Sequence, residues 1–196
     1  MTAKYKHHSI KLEARQETIF RFQKLSGYTR LPANWFYWTL AADQTHEESE
    51  VKQLVDTGFL KPEQFIGIDW DEEKQYLNAQ AHEHSTWITG DFADIICRPS
   101  VQPSLQNALV YLDTVNTPPN AWSLLELATR VVQKGVIIHN VVTWNRSGFH
   151  DINEFAPRMP EGWHLVPDFD FTYRYLQTQM TTLYLTKGIQ NVNSSK

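Results

Sequence analysis

Three carboxylates in this 196-residue chain lie where short apolar runs stop. Asp69 follows Phe65-Ile66-Gly67-Ile68, Asp91 stands in Gly90-Asp91-Phe92 after Thr86-Trp87-Ile88-Thr89, and Asp113 follows Ala108-Leu109-Val110-Tyr111-Leu112. A fourth acid, Asp43, comes two residues after the aromatic run Trp35 to Ala41. An acid at the end of a buried strand is well suited to accept both hydroxyls of a ribose. Trp70 beside Asp69 and Phe92 beside Asp91 offer flat apolar faces to a base. The same acids admit a second chemistry, with Asp43, Asp69 and Asp113 gathering a magnesium ion, since hard cations take oxygen ligands. Each also has a plain structural role: Asp69 as cap of a helix starting near Asp71, and Asp91 and Asp113 as turn formers.

Much other chemistry is excluded. The chain has 8 glycines, no two closer than nine residues. That spacing removes the phosphate-binding loop, the G-x-G-x-x-G dinucleotide turn and the G-x-S-x-G nucleophile elbow. Cys97 is the only cysteine, so internal disulfides and clustered cysteine zinc sites are out, and the thiol reads as inert. His82 with His84, and Asp43 with His46 and Glu47, place metal donors close in sequence; both sets read as solvated polar residues, and no metal is expected. His139 sits inside an apolar run and reads as a core histidine rather than a base. No run approaches the ~20 apolar residues of a membrane span, and the first ten residues lack a signal-peptide apolar stretch. A reduced, cytoplasmic protein is the expectation.

Charge is unevenly spread. Residues 1–30 carry +5, whereas the remaining 166 carry −9. An acidic body argues against wrapping nucleic acid, whose affinity comes from Lys and Arg contacts. The basic N-terminal segment is either a solvated helix face or a surface for an acidic partner.

The elements that would position these residues alternate. A helix from a Ser9 cap to about Leu25 ends at Gly27. The run Trp35 to Ala41 reads as a strand buried on both faces. Helices are expected over Glu47–Thr57 and Asp71–Ala81, with strands at Phe65–Asp69 and Thr86–Thr89. After the strand Ala108–Leu112, Asn120 caps a helix whose stripe is Ala121, Leu124, Leu125, Ala128, Val131 and Val132. The strand Val136–Val142 follows, then a loop or short helix from Gly148 to Pro160. Two final strands, Trp163–Phe171 and Met180–Lys187, have no helix between them and form a hairpin. The fold class is therefore α/β, a Rossmann-like doubly wound sheet of about seven strands, mostly parallel, with an antiparallel C-terminal hairpin strand. Residues 1–30 form an N-terminal helical extension, 31–190 the α/β domain, and 191–196 a polar tail. In such sheets ligands bind beyond the carboxyl ends of the strands, where the strand order reverses, which is where the four acids fall.

The order of elements and the closing pair, Tyr173-Arg174-Tyr175 followed by Met180 to Gly188, resemble the class I S-adenosylmethionine-dependent methyltransferase fold over roughly Trp35 to Gly188. The resemblance implies S-adenosylmethionine as cofactor and an acceptor that the sequence does not identify. It implies that Asp69, with Trp70, holds the cofactor's ribose, and that Asp91 and Phe92 lie beside its adenine. Asp113 and the loop holding Asn116 are similar to the place where the methyl meets its acceptor, with Asn116 standing just before Pro118-Pro119. One departure stands out. Where the family has a glycine-rich loop after its first strand, this chain reads Thr39-Leu40-Ala41-Ala42-Asp43-Gln44-Thr45-His46. Ala41 is small enough to stand near the cofactor, and Asp43 could receive its ammonium group. A side chain of Asp43, Gln44 or His46 in the methionine position would instead mark a non-catalytic binding module that has lost the cofactor.

Overall fold

The apolar runs become the middle of one sheet. A computed structural model describes residues 3–114, 118–145, 148–149, 159–166, 171–175 and 178–189. Its strands are β1 (Phe36–Leu40), β2 (Phe65–Asp69), β3 (Thr86–Thr89), β4 (Asn107–Asp113), β5 (Lys134–Asn145), β6 (Gly148–Phe149), β7 (His164–Leu165), β8 (Phe171–Tyr175) and β9 (Thr178–Lys187). The helices are α1 (Ala3–Ser26), α2 (Glu50–Asp56), α3 (Glu72–Ala81), α4 (Phe92–Ile96) and α5 (Pro118–Val131). Sheet order is β3-β2-β1-β4-β5-β9-β7, with β6 on β5 and β8 on β9. Strands β1 to β5 pair parallel, while β9 runs antiparallel to β5. Both β7 and β8 pair with β9, at Leu185–Thr186 and at Thr178–Thr182 respectively, so together they fill one interrupted position. Of the expected strand Trp163–Phe171, the described residues place His164–Leu165 in β7 and Phe171 at the start of β8, and 167–170 lie outside them.

Side-chain alternation divides the core into two layers. On one face Trp38, Ile68, Val110, Leu112 and Ile137 pack against α4 and α5. Ala121, Leu125 and Ala128 of α5, with Val132 just beyond its end, are fully buried there. On the other face Tyr37, Phe65, Leu109, Ile138 and Tyr184 meet Phe22 and Leu25 of α1 and Val51 and Leu54 of α2. The successive crossovers β1-α2-β2-α3-β3 move in one direction, which puts α3 on the same face as α2.

Three helix starts differ from expectation. Good helix formers before Ser9 let α1 begin at Ala3, so Ser9 lies inside the helix rather than capping it. Proline is tolerated in a first turn, so α5 begins at Pro118 and Asn120 falls within it. Helix α2 starts only at Glu50, for a reason given below. Asn116, residues 150–158 of the expected loop, and the 191–196 tail lie outside the described residues.

Gly135 opens β5 where it crowds β4. Its φ is +155°, and a Cβ there would stand 1.9 Å from the Ala108 carbonyl oxygen. Backbone cannot yield as a flexible side chain does, so Gly135→Ala is expected to cost about 1–3 kcal/mol. Thermal unfolding reads this as a loss of roughly 2–4 °C in Tm per kcal/mol.

Candidate functional site

Strand order reverses between β1 and β4, so the carboxyl edge above this pair is where a doubly wound sheet holds its ligand. The chain leaving β1 does not stay at that edge. Ala41 N–H donates to the Ile68 carbonyl at 2.9 Å, and Gln75 Nε2 donates to the Ala41 carbonyl at 3.4 Å. Asn78 Nδ2 donates to the Ala42 carbonyl at 2.8 Å, and Asn78 Oδ1 accepts from Gln44 N–H at 2.8 Å. His82 Nε2 then meets the Gln44 carbonyl at 2.8 Å. Residues 75, 78 and 82 share one face of α3 at successive turns. Helix α3 runs from the carboxyl edge after Asp69 towards the amino edge before Thr86, so the segment 41–44 descends beside it.

Helix α2 consequently begins low and has its first amides filled from within. Gln44 is buried, and its Oε1 accepts from Glu50 N–H at 2.8 Å and Val51 N–H at 3.3 Å. Ser49 Oγ accepts from Lys52 N–H at 3.4 Å. A helix N-terminus is normally a ready anion site. Here three of its amides already have side-chain acceptors, and Thr45 N–H is taken by Asp43 Oδ1 at 2.9 Å. Under this end lies a buried ionic group. Tyr37 Oη donates to Glu50, and Arg15 Nε of α1 stands 3.5 Å from the other Glu50 oxygen. Burial and the Glu50 carboxylate raise the Tyr37 pKa well above its ordinary value. Burial disfavours the Arg15 charge, but Glu50 above all, with Tyr111, Tyr37 and Asp113, more than offsets this and raises its pKa.

Of the four acids expected at the edge, Asp69, Asp91 and Asp113 are found there in different states, while Asp43 has left it with the descending segment. Asp69 is half-buried, and its Oδ1 accepts from Asp71 N–H at 2.9 Å; the cap of α3 is Asp71, not Asp69. Trp70 is open, at 78% exposure. Asp91 caps α4 by accepting from Ala93 and Asp94 N–H. Phe92 belongs to the core under α4, so its ring is not an open face for a base. Ala41 is likewise fully buried. Asp43 is exposed and folds onto Thr45, whose hydroxyl and amide hold its carboxyl below the usual range.

Asp113 sits in a network that sequence reasoning missed. Asn140 Nδ2 donates to Asp113 Oδ1 at 3.0 Å and to Tyr111 Oη at 2.9 Å, while Thr182 donates to Asn140 Oδ1 at 2.6 Å. The only prior signal was a pair of polar residues, His139-Asn140, within an apolar strand. Burial and the Asp113 charge push the Tyr111 pKa well up. His139, on the opposite face, is fully buried and meets Thr114 Oγ1 at 3.3 Å. Burial lowers its pKa to about 3, with Asp113 opposing only in part, so it is a neutral core residue.

Among the described residues no group of three or more His, Cys, Asp or Glu could hold a metal ion, and no helix is long and apolar enough to cross a membrane. A cleft of about 510 Å³ lies between the 45–47 segment, α2 and residues 81–85, and a groove of about 390 Å³ lies between α1 and α2. Neither is lined by Asp69, Asp91 or Asp113.

No protein-family profile and no curated protein sequence matches the chain. Its backbone is nonetheless similar to solved methyltransferases. Magnesium protoporphyrin IX methyltransferase from Synechocystis PCC 6803, with bound S-adenosylhomocysteine, superposes with a TM-score of 0.61 at 10% identity, covering 95% of this chain and 88% of that one. A putative sarcosine dimethylglycine methyltransferase from Galdieria sulphuraria gives 0.57 at 9% identity, over 90% and 85%. A putative tRNA (m1A22) methyltransferase of Streptococcus pneumoniae, in complex with S-adenosylmethionine, gives 0.55 at 12%, over 92% and 75%. The chain has a class I methyltransferase-like fold.

Three mutants test this geometry. Asn78→Ala strips partners from Gln44 N–H and the Ala42 carbonyl, and unpaired buried groups cost about 1–3 kcal/mol each. Denaturant unfolding should show a loss near ~3 kcal/mol, against less than about 1 kcal/mol for exposed Asp43→Ala. For His139 the unfolded chain takes up a proton near pH 6.5, whereas the fold resists down to about 3. Stability therefore falls as pH drops below about 6.5, by up to ~1.4 kcal/mol per unit. His139→Gln should flatten that acid limb.

Proposed function

We propose that this chain is a non-catalytic binding module on the methyltransferase-like fold. It takes an adenosine-bearing ligand by its nucleoside end and does not engage the methionine end of S-adenosylmethionine. The observation that carries this reading is Gln44, whose side chain fills the first amides of α2 while Asn78 and His82 hold the same residue's backbone beside α3. A cofactor carboxylate arriving there meets used donors and the buried Glu50 carboxylate rather than free amides. The nucleoside end is better provided. Asp69 spends one carboxylate oxygen on Asp71 and keeps the other for ribose hydroxyls, with the open Trp70 ring as a stacking face and Asp91 nearby in the next exit.

A second reading, methyl transfer to an unidentified acceptor, is favoured by the Asn140 network, which would fix Asp113 to orient a nucleophile. Solved neighbours bound to S-adenosylmethionine or S-adenosylhomocysteine also favour it. Cytoplasmic residence belongs with either reading.

Isothermal titration separates the two. A module that ignores the methionine end binds adenosine and S-adenosylhomocysteine within about threefold of each other, well under the tenfold that 1.4 kcal/mol represents. An intact pocket adds charge-assisted hydrogen bonds to carboxylate and ammonium, worth about 1.5–3 kcal/mol each, and so binds S-adenosylhomocysteine at least ~10-fold tighter. That preference would overturn the module reading. Asp69→Ala should weaken adenosine binding by roughly 10- to 100-fold while costing little stability, since it loses one local turn bond.

A further inference from the structure

All four exposed large apolar side chains among the described residues lie on the α1–α2–α3 side of the sheet or at its corner. Phe20 of α1 is 51% exposed, Trp70 before α3 is 78%, and Tyr76 and Leu77 of α3 are 63% and 44%. None lies on the α4–α5 side. Isolated exposed apolar residues are ordinary, but Phe20, Tyr76 and Leu77 on the helices of one layer mark an interaction face, with Trp70 at the corner left to the carboxyl edge. Phe20 also walls the groove of about 390 Å³ between α1 and α2, with Ile19, Leu54 and Phe59. An aromatic side chain is of a size to enter it, and Tyr76 or Leu77 of an identical layer could do so.

Charge indicates which partner. Helix α1 carries six basic residues against Glu13 and Glu17 and stays net basic with Arg15 spent inside on Glu50, whereas Asp69 to Ala81 carries four acids against Lys74. The two helices flank α2 on one face, α1 towards β8 and β9 and α3 towards β2 and β3. A two-fold axis through this layer therefore sets basic α1 of one copy over acidic α3 of the other, twice, with α2 near the axis. Such an isologous contact is self-complementary and closes at two subunits.

We infer that the α1–α2–α3 face docks onto the same face of a second copy of this chain. Tyr76 and Leu77 of each copy enter the groove beside Phe20 of the other, and α1 pairs electrostatically with α3. This does not depend on what occupies the carboxyl edge.

Sedimentation of the full chain over a concentration series tests the contact. The expected result is a dimer that weakens when salt rises from about 0.1 M to about 1 M, as the Debye length falls from ~10 Å to ~3 Å. Leu77→Glu or Phe20→Glu, both at exposed positions, should weaken association at least about tenfold without lowering Tm. The decisive arm uses two charge variants. K11E/Q16E/K24E takes α1 from +4 to −1, and E72K/E73K takes residues 69–81 from −3 to +1, so each alone repels its own copy and should run as a monomer. Mixed, they present opposite charges at both contacts and should form a one-to-one heterodimer. A wild-type chain that stays monomeric at low salt overturns the inference. So does a dimer that all four variants leave intact, or a mixture of the two charge variants that fails to associate.

Discussion

Asn78 uses both ends of one side-chain amide to bind the chain leaving β1, and the character of the carboxyl edge follows from that. Its oxygen takes Gln44 N–H and its nitrogen reaches the Ala42 carbonyl. With Gln75 above and His82 below, a stretch of backbone that would otherwise arch over the strand ends is drawn down beside α3. Once Gln44 is held there, its side chain is level with the first turn of α2 and supplies the acceptor that this turn needs. Helix α2 can then start low, without a glycine turn and without a ligand at its end. Buried amides demand partners, so each of these bonds makes the next one harder to leave.

The buried Tyr37–Glu50–Arg15 group extends this constraint to the N-terminal helix. Glu50 is the first residue of α2, fixed by Gln44, and it receives the Tyr37 hydroxyl and faces Arg15 of α1. An ionic pair in the interior contributes little net stability, but removing one partner leaves a costly lone charge. Its effect here is geometric: α1 is registered against the same loop that departs from the strand edge. Tyr184, donating to the Thr18 carbonyl at 3.3 Å, fixes the helix one turn further along.

Much of the architecture was legible because it follows from short-range pattern. Strands β2 and β3 fall on the residues expected, and β4 extends its run by one residue at each end, since polar residues or glycine bound those runs on both sides. The acids at the strand ends were located by the same logic. What stayed hidden depends on contacts between residues far apart in sequence. Ser49, a capping residue type, is the one local sign that the helix waits until Glu50; the rest of the cause is a glutamine accepting across six residues and an asparagine from another helix, 34 residues away. Phe92 was read as an open ring because it follows a strand end. Asp91 caps α4 at that point, and the helix turns the ring into the core. Asn140 looked like a polar interruption of a strand, and only the neighbouring strands reveal it as the link between Asp113, Tyr111 and Thr182.

The first amides of α2 are satisfied by Gln44 rather than awaiting a ligand. Amide hydrogen exchange at Glu50 and Val51, followed by NMR with and without saturating S-adenosylhomocysteine, addresses this directly. Both amides should exchange slowly in the free protein and keep the same protection when the compound is added. Free exchange without ligand, followed by strong protection on adding S-adenosylhomocysteine, would contradict the account and return this helix end to the role of a cofactor site.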